Sequence, residues 1–274
     1  MRLDIVIPAH NEEHRLDPTL TAYRAVCSDP DARFIIALDN CSDRTAEIVA
    51  AHADEDDRVT GYCFPKLGKG GVIMETFRRS DAELLAFVDA DCATPPTELL
   101  RLAEAAADAH VDGAIGTRWH PSAVLPARRP ANRRLASAMF AFLVRRAFHL
   151  PFRDTQCGAK VLHRSVIEGA LPLLSSRDFL FDVDLLVVAR KLGFRIVEVP
   201  TIWVDRPGSS IGIRRDAQRM AASLLRLWLH YRVLPVPSES TPHRDAPVHI
   251  AAQATSDVVA SEHDADDVHN AHVH

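Results

Sequence analysis

Short apolar runs recur through the first half of the chain, and each stops at a polar cluster just before a helical pattern opens. Leu3–Pro8, Arg33–Leu38, Val59–Phe64, Leu84–Val88 and Gly113–Gly116 read as strands. Helical stretches fall between them: Asp17–Val26, Thr45–His52, a helix running through Arg79, and one opened by Pro95 and Pro96 and running through Ala109. Strands alternating with helices at this spacing predict an α/β fold, a mostly parallel sheet covered by helices on both faces. In such sheets ligands bind beyond the carboxyl ends of the strands. The polar clusters at 8–12, 39–43, 66–71 and 89–91 all belong at that edge. Their convergence says more than any one of them.

The second half reads differently. Asn132–Leu150 is a helix of mixed arginines and apolar residues, Asp154–Gly158 a polar loop, and Lys160–Leu162 a short strand. Phe181–Leu192 is a helix, Ile196–Pro200 a strand, and Ile211–Leu234 an arginine-rich amphipathic helix or helix pair. From Pro235 the periodicity ends, and residues 235–274 read as a disordered, acidic, histidine-containing tail. Residues 1–234 then form one domain, whose apolar content suffices for a full core. The net charge of -5 comes from the tail, which leaves that domain near neutral.

The five cysteines are scattered without CxxC spacing, which argues against a disulfide framework or zinc site and for a reducing compartment. No leader-like segment precedes the first strand. No uncharged apolar run reaches the roughly 18–20 residues of a membrane span.

Asp89-Ala90-Asp91 follows the run LLAFV. Two carboxylates at the tip of a central strand are costly unless a cation or hydrogen-bond donors satisfy them. A hard divalent ion shared with a ligand's phosphates is the natural partner, and a helix cap beside a turn is the alternative. Asp39 ends the second strand, where a carboxylate suits a base or ribose, while Asp43 fits the capping role for the helix after it. Lys66-Leu67-Gly68-Lys69-Gly70-Gly71 reads either as backbone N–H groups and a cation near phosphate or as a mobile surface turn; it is not a P-loop. Arg118 to Arg153 holds eight arginines and no acid. Their mixture with Leu135, Met139, Phe140, Phe142, Leu143 and Phe148 suits a phosphate bearing a hydrocarbon chain better than nucleic acid. The alternative is a packing helix with snorkelling arginines.

The motifs PAHNEE (8–13), DNCSDRT (39–45), KLGKGG (66–71), DADCATPP (89–96), GTR (116–118), RDTQCGAKVLHR (153–164), FLFDVDLL (179–186) and EVPTIWVDRPGSS (198–210) occur in order. Together they resemble the inverting, GT-A-fold family 2 glycosyltransferases of the dolichyl-phosphate mannose synthase and dolichyl-phosphate glucosyltransferase group. The resemblance spans about residues 1–230, and RDTQCG with FDVDLL looks more like the glucosyltransferase branch.

It implies a nucleotide-sugar-binding half at 1–117 and an acceptor half at 118–234 carrying membrane-surface helices. Pro8, His10, Glu12, Ala37, Asp39, Lys69, Asp89 and Ala90 would hold the donor. Asp91, with Asp89, would ligate Mg2+ or Mn2+. Arg118, Arg133 and Ser137 would hold the acceptor phosphate, Arg206 would neutralise the leaving diphosphate, and Asp182, or else Asp184, would orient sugar hydroxyls. His10 replaces the usual aromatic, and Ala93 stands where mannose synthases carry a glutamine. Ser209-Ser210 stands where a lysine is expected, leaving Arg214 as a substitute cation.

The implied activity is transfer of a hexose, glucose favoured, from UDP-glucose to a polyprenyl or dolichyl phosphate. GDP-mannose as donor, a soluble acceptor, a silent nucleotide-sugar-binding module and a nucleotidyltransferase are the alternatives. The expected location is the cytoplasmic face of the cell membrane, held peripherally by the Arg118–Arg153 region and the helix ending near Leu234. No nucleic-acid partner is expected.

Overall fold

The computed structural model describes residues 1–119, 123, 131–204 and 213–233; for 131–136 and 213–219 it describes the backbone only. Seven strands form one sheet: β1 (Leu3–Ala9), β2 (Ala32–Asp39), β3 (Val59–Phe64), β4 (Leu84–Phe87), β5 (Gly113–Thr117), β6 (Lys160–His163) and β7 (Ile196–Pro200). Their order is β3-β2-β1-β4-β6-β5-β7. The β1–β2, β2–β3, β1–β4 and β5–β7 pairs are parallel, and β6 alone runs antiparallel to both its neighbours, β4 and β5.

Eight α-helices are described: α1 (Leu16–Val26), α2 (Thr45–Glu55), α3 (Lys69–Arg79), α4 (Pro96–Ala106), α5 (Ala131–Phe148), α6 (Arg164–Ala170), α7 (Phe181–Lys191) and α8 (Ile213–Val233). Continuous apolar runs such as LDIVIPA become central strands because both faces are covered. Two cores result. One holds Ile5, Ile7, Leu16, Leu20, Tyr23, Phe34 and Leu99. The other holds Val6, Phe77, Phe87, Phe181, Leu185 and Tyr231.

The expected elements are present, with shifts of a few residues at some ends. The sequence reading had no helix at Arg164–Ala170. It is a single short segment with no side-chain cap, held by burial of Val166, Ile167 and Ala170. The tail from 235 and the segment 205–212, with Arg206 in it, lie outside the described residues. Among the described residues no helix is long and apolar enough to cross a membrane.

The reversed strand positions the site. Because β6 runs against its neighbours, the loop that leads into it, 153–159, lies at the edge where β1, β2, β4, β5 and β7 all end. Residues far apart in sequence therefore meet there.

Candidate functional site

β1 and β2 deliver the first pieces. Pro8 and Ala37 are register partners, and Ala37 is fully buried, so it supports the edge from within the sheet. His10 is exposed, with Nδ1 2.7 Å from the Asp39 carbonyl. A carbonyl only accepts, so Nδ1 carries the proton and donates. The Asp39 carboxylate is buried and accepts from the Leu67 and Gly68 N–H groups at 2.7 and 3.2 Å. Lys66 pairs with it at 2.9 Å. Asp39 therefore clamps the basic turn as well as ending its strand.

The glycines of that turn are closely packed. Gly68 has φ 80, and a Cβ there would lie 2.8 Å from the Arg177 carbonyl oxygen. A Cβ on Gly70 would come within 2.4 Å of Phe181 Cβ. The glycines let the start of α3 pack directly on residues 177–181, which aims Lys69 at the sheet edge.

β4 ends at Phe87, and the Val88 N–H still bonds to the Val6 carbonyl at 3.0 Å, so Asp89 is the first free residue beyond the strand. Asp89 Oδ1 pairs with Lys69 at 2.8 Å. Lys69 lies 3.5 Å from Asp182 Oδ2, and Asp182 Oδ1 is 2.6 Å from Lys160 Nζ. Lys160, wholly buried, also donates to the Cys157 carbonyl at 2.7 Å. Charges alternate along this chain, with Phe87 beside both ammonium groups. Burial opposes the Lys69 charge, but Asp182 and Asp89 outweigh it and hold its pKa above that of a free lysine. Burial likewise opposes ionisation of Asp182, and Lys160 and Lys69 overcome it, so its pKa is lowered.

Asp91 differs. Ala90, between the two acids, is buried, and its carbonyl accepts from the Thr19 hydroxyl at 2.8 Å. Asp91 Oδ1 accepts the Ala93 N–H at 3.0 Å across a turn in which Cys92 takes φ 52, a left-handed conformation uncommon outside glycine. No described cation lies within ion-pair distance of Asp91. Burial and then the Asp89 charge raise its pKa. Glu12 is also raised, by burial against the opposing pull of Arg15, its partner at 2.6 Å, and Asp91 and Asp89 add to the rise. Among the described residues, Asp91 is thus a carboxylate at this edge without a paired cation.

That residue chemistry fits a hard divalent ion, which takes oxygen ligands and keeps waters or phosphates in its remaining positions. Among the described residues no group of three or more His, Cys, Asp or Glu converges to hold a metal.

Across the edge, Arg118 makes a two-point contact with Asp154: Nε to Oδ2 at 2.6 Å and Nη2 to Oδ1 at 2.9 Å. Its guanidinium lies 4.7 Å from the Trp203 ring. Asp154 is buried, which disfavours its charge, but Arg118 outweighs that and lowers its pKa. Glu198 on β7 accepts the Arg153 and Asp154 N–H groups at 2.7 and 2.9 Å and fixes the loop.

Ser137 is half-buried on α5; Arg133 lies in the same helix, but its side chain is outside the described residues. The structure brings Pro8, His10, Glu12, Asp39, Lys69, Asp89, Ala90, Asp91, Arg118 and Asp182 to one edge. Asp182 reaches it through Lys69. Sequence reasoning missed Lys160, Asp154, Trp203 and Gly158. Each lies in a motif that the resemblance quoted, and that was the only signal.

A mostly parallel sheet with an acid- and lysine-rich carboxyl edge is the GT-A type of architecture. Glucosyl-3-phosphoglycerate synthase from Mycobacterium tuberculosis, crystallised with Mn2+, UDP and glucosyl-3-phosphoglycerate, superposes with a TM-score of 0.63 over 86% of this chain and 81% of its own, at 12% identity. That likeness speaks for the fold alone. Residues 4–170 match glycosyl transferase family 2, and the chain belongs to that family. Glycosyltransferase AglD of Haloferax volcanii is 31% identical over 240 residues, which cover 86% of this chain and 38% of AglD. A dolichyl-phosphate beta-glucosyltransferase of Drosophila melanogaster is 30% identical over 249 residues, 85% of this chain and 76% of that protein.

Proposed function

We propose that this chain transfers a hexosyl group, glucose favoured, from a nucleotide diphosphate sugar to the phosphate of a polyprenyl or dolichyl lipid, with inversion at the anomeric carbon. One observation carries the reading: the Asp89–Asp91 turn and the Arg118–Asp154–Trp203 group share one sheet edge. Acids that suit a cation-bound diphosphate then face an arginine that suits a second phosphate. The names of the relatives support a dolichyl-phosphate acceptor and glucose.

In this reading Pro8, His10, Glu12 and Asp39 border the nucleoside. Mg2+ or Mn2+ held by Asp91, with Asp89 beside it, would supply positive charge to the diphosphate. Lys69 holds Asp89 in place, and Asp182 holds Lys69. Asp154 occupies Nε and Nη2 of Arg118, which leaves Nη1 for the acceptor phosphate together with Arg133 and Ser137. A phosphate monoester has a second pKa of about 6, so the attacking oxygen is already anionic at neutral pH and needs no strong base. Catalysis rests on in-line positioning and charge stabilisation, to which Arg206 would contribute.

Two helices supply a place for the lipid chain. α5 exposes Met139, Phe142 and Leu143, and α8 exposes Leu225, Leu229 and Val233. The two helices pack together, with the rings of Phe148 and Tyr231 6.4 Å apart. Arg145, Arg146, Arg226 and Arg232 are exposed on the same helices. Apolar and cationic groups mixed in this way suit peripheral attachment to an anionic membrane, here its inner face.

The test is direct. Purified protein with Mg2+, UDP-glucose and a short polyprenyl phosphate should release UDP, and Asp91→Ala should abolish release. Turnover that survives both Asp91→Ala and EDTA would sink the cation assignment. Full turnover on 3-phosphoglycerate without lipid would sink the lipid acceptor, and preference for GDP-mannose would sink glucose.

A further inference from the structure

Lys160 is a cation in the middle of the protein. Its side chain has no solvent exposure, and β6 places it opposite Phe87 in the register of β4. Its ammonium donates to Asp182 Oδ1 and to the Cys157 carbonyl. A buried charge persists only where it is paired and hydrogen-bonded. Here the pairing has a consequence two residues away in space. Lys69 stands between two carboxylates, 2.8 Å from Asp89 and 3.5 Å from Asp182. It leans towards Asp89 although Asp182 is the more deeply buried of the two, with 4% side-chain exposure against 32%. Burial alone favours the opposite choice, because attraction between charges grows as the surroundings become less polar. What tips it is that Asp182 already has a closer partner in Lys160.

We infer that Lys160 is a positioning residue for the sheet-edge site: by neutralising Asp182 it assigns Lys69 to Asp89, so that Asp89 stays occupied and Asp91 is the carboxylate left for an added cation. The inference rests on the proposed function only for what the site is used for; the charge assignment belongs to the fold itself. Gly158 completes the arrangement. Its backbone lies so close to Asp89 that a Cβ would come within 2.0 Å of Oδ2. Asp89 is thus held on one oxygen by Lys69 and crowded on the other by Gly158. Asp91 accepts the Ala93 N–H, and among the described residues no cation is paired with it.

The test is a two-step charge cycle. Lys160→Met removes the cation at similar volume. Asp182 is then the less compensated acid, and Lys69 should move onto it and release Asp89. The crystal structure of K160M should place Lys69 Nζ nearer Asp182 than Asp89. Mn2+ titrated alone, read by electron paramagnetic resonance, should bind about tenfold tighter, because two carboxylates are then open. Asp182→Asn added to K160M removes the competing charge, so Lys69 should return to Asp89 and Mn2+ affinity should come back to within about twofold of the wild type. A merely structural role for Lys160 does not predict rescue by neutralising its partner. Equal Mn2+ affinity in K160M and K160M/D182N, or a Lys69 that stays on Asp89 in K160M, overturns the inference. If K160M does not fold, K160M/D182N carries no unpaired buried charge, and loss of the Lys69–Asp89 contact in it overturns the inference too. Wild-type protein that transfers no sugar, with the cycle intact, removes the proposed function alone. An active wild type with a flat cycle removes the Lys160 inference alone.

Discussion

Gly158→Ala tests the packing of the site without reference to any ligand. A Cβ at this position falls 2.0 Å from Asp89 Oδ2, 2.6 Å from its Cγ and 3.3 Å from Oδ1. The first two distances cannot be tolerated, so either Asp89 or the loop must move. Moving Asp89 also lengthens its 2.8 Å contact with Lys69. Overpacking of this kind costs about 1–3 kcal/mol. The glycine does not have a positive φ, so the alanine backbone itself is unstrained. Now let Asp89 be alanine as well. All three nearest atoms vanish with the carboxylate, and no other atom comes closer than 3.3 Å. The cost of Gly158→Ala should then fall below about 0.5 kcal/mol, which leaves a coupling of about 1–3 kcal/mol between the two positions. Alanine also restricts the unfolded chain, but it does so in both backgrounds, and the cycle cancels that effect. Urea unfolding of the four proteins measures the coupling. In a domain of this size each kcal/mol moves the melting temperature by about 2–4 °C. Equal losses in both backgrounds would refute the reasoning, because the obstructing group would then not be Asp89.

Two further outcomes are expected. Asp154→Asn leaves Arg118 as a mostly buried cation without its carboxylate, and should cost up to about 3–5 kcal/mol at pH 7. The folded-state pKa of Asp154 is lowered from 3.8, so its contribution is present above that value and lost as pH falls through the lower folded-state value. The stability gap between wild type and variant should therefore narrow below pH 3.8, and a gap unchanged down to pH ~2.5 would contradict the pairing. Phe142→Glu with Leu229→Glu places two anions on the exposed faces of α5 and α8. Co-sedimentation with anionic vesicles should weaken at least roughly tenfold. Unchanged vesicle binding would remove these faces from the membrane reading.

The sheet was readable because a parallel strand covered on both faces must be a continuous apolar run. LDIVIPA, RFIIAL and LLAFV have no other economical use. The acids and lysines at their ends were readable for the same reason: the residue after such a run is the first to meet solvent. Lys160 was not. It interrupts nothing in KVLH, and its partner Asp182 sits on α7, 22 residues away. No helical or strand period links those two positions. Asp39 also accepts the backbone N–H groups of Leu67 and Gly68, and a sequence carries no mark of where such groups point. The glycines of KLGKGG show the same limit. Either a phosphate cradle or a loose turn would account for them in the sequence, and neither reading discloses that they also let α3 start against Phe181.

The direction of β6 decides most of this. A four-residue strand has no sequence mark of which way it runs. Had it run parallel to β4, the 153–159 loop would open at the opposite edge of the sheet. Arg118, which follows β5, would then reach the site edge without Asp154, and Asp89 would have neither Gly158 against it nor Lys160 behind Lys69. One reversal therefore brings the arginine group to the acids and also supplies the buried cation that sorts them. The two acids of Asp89-Ala90-Asp91 are equivalent in sequence, and they become different because of a strand that runs against its neighbours.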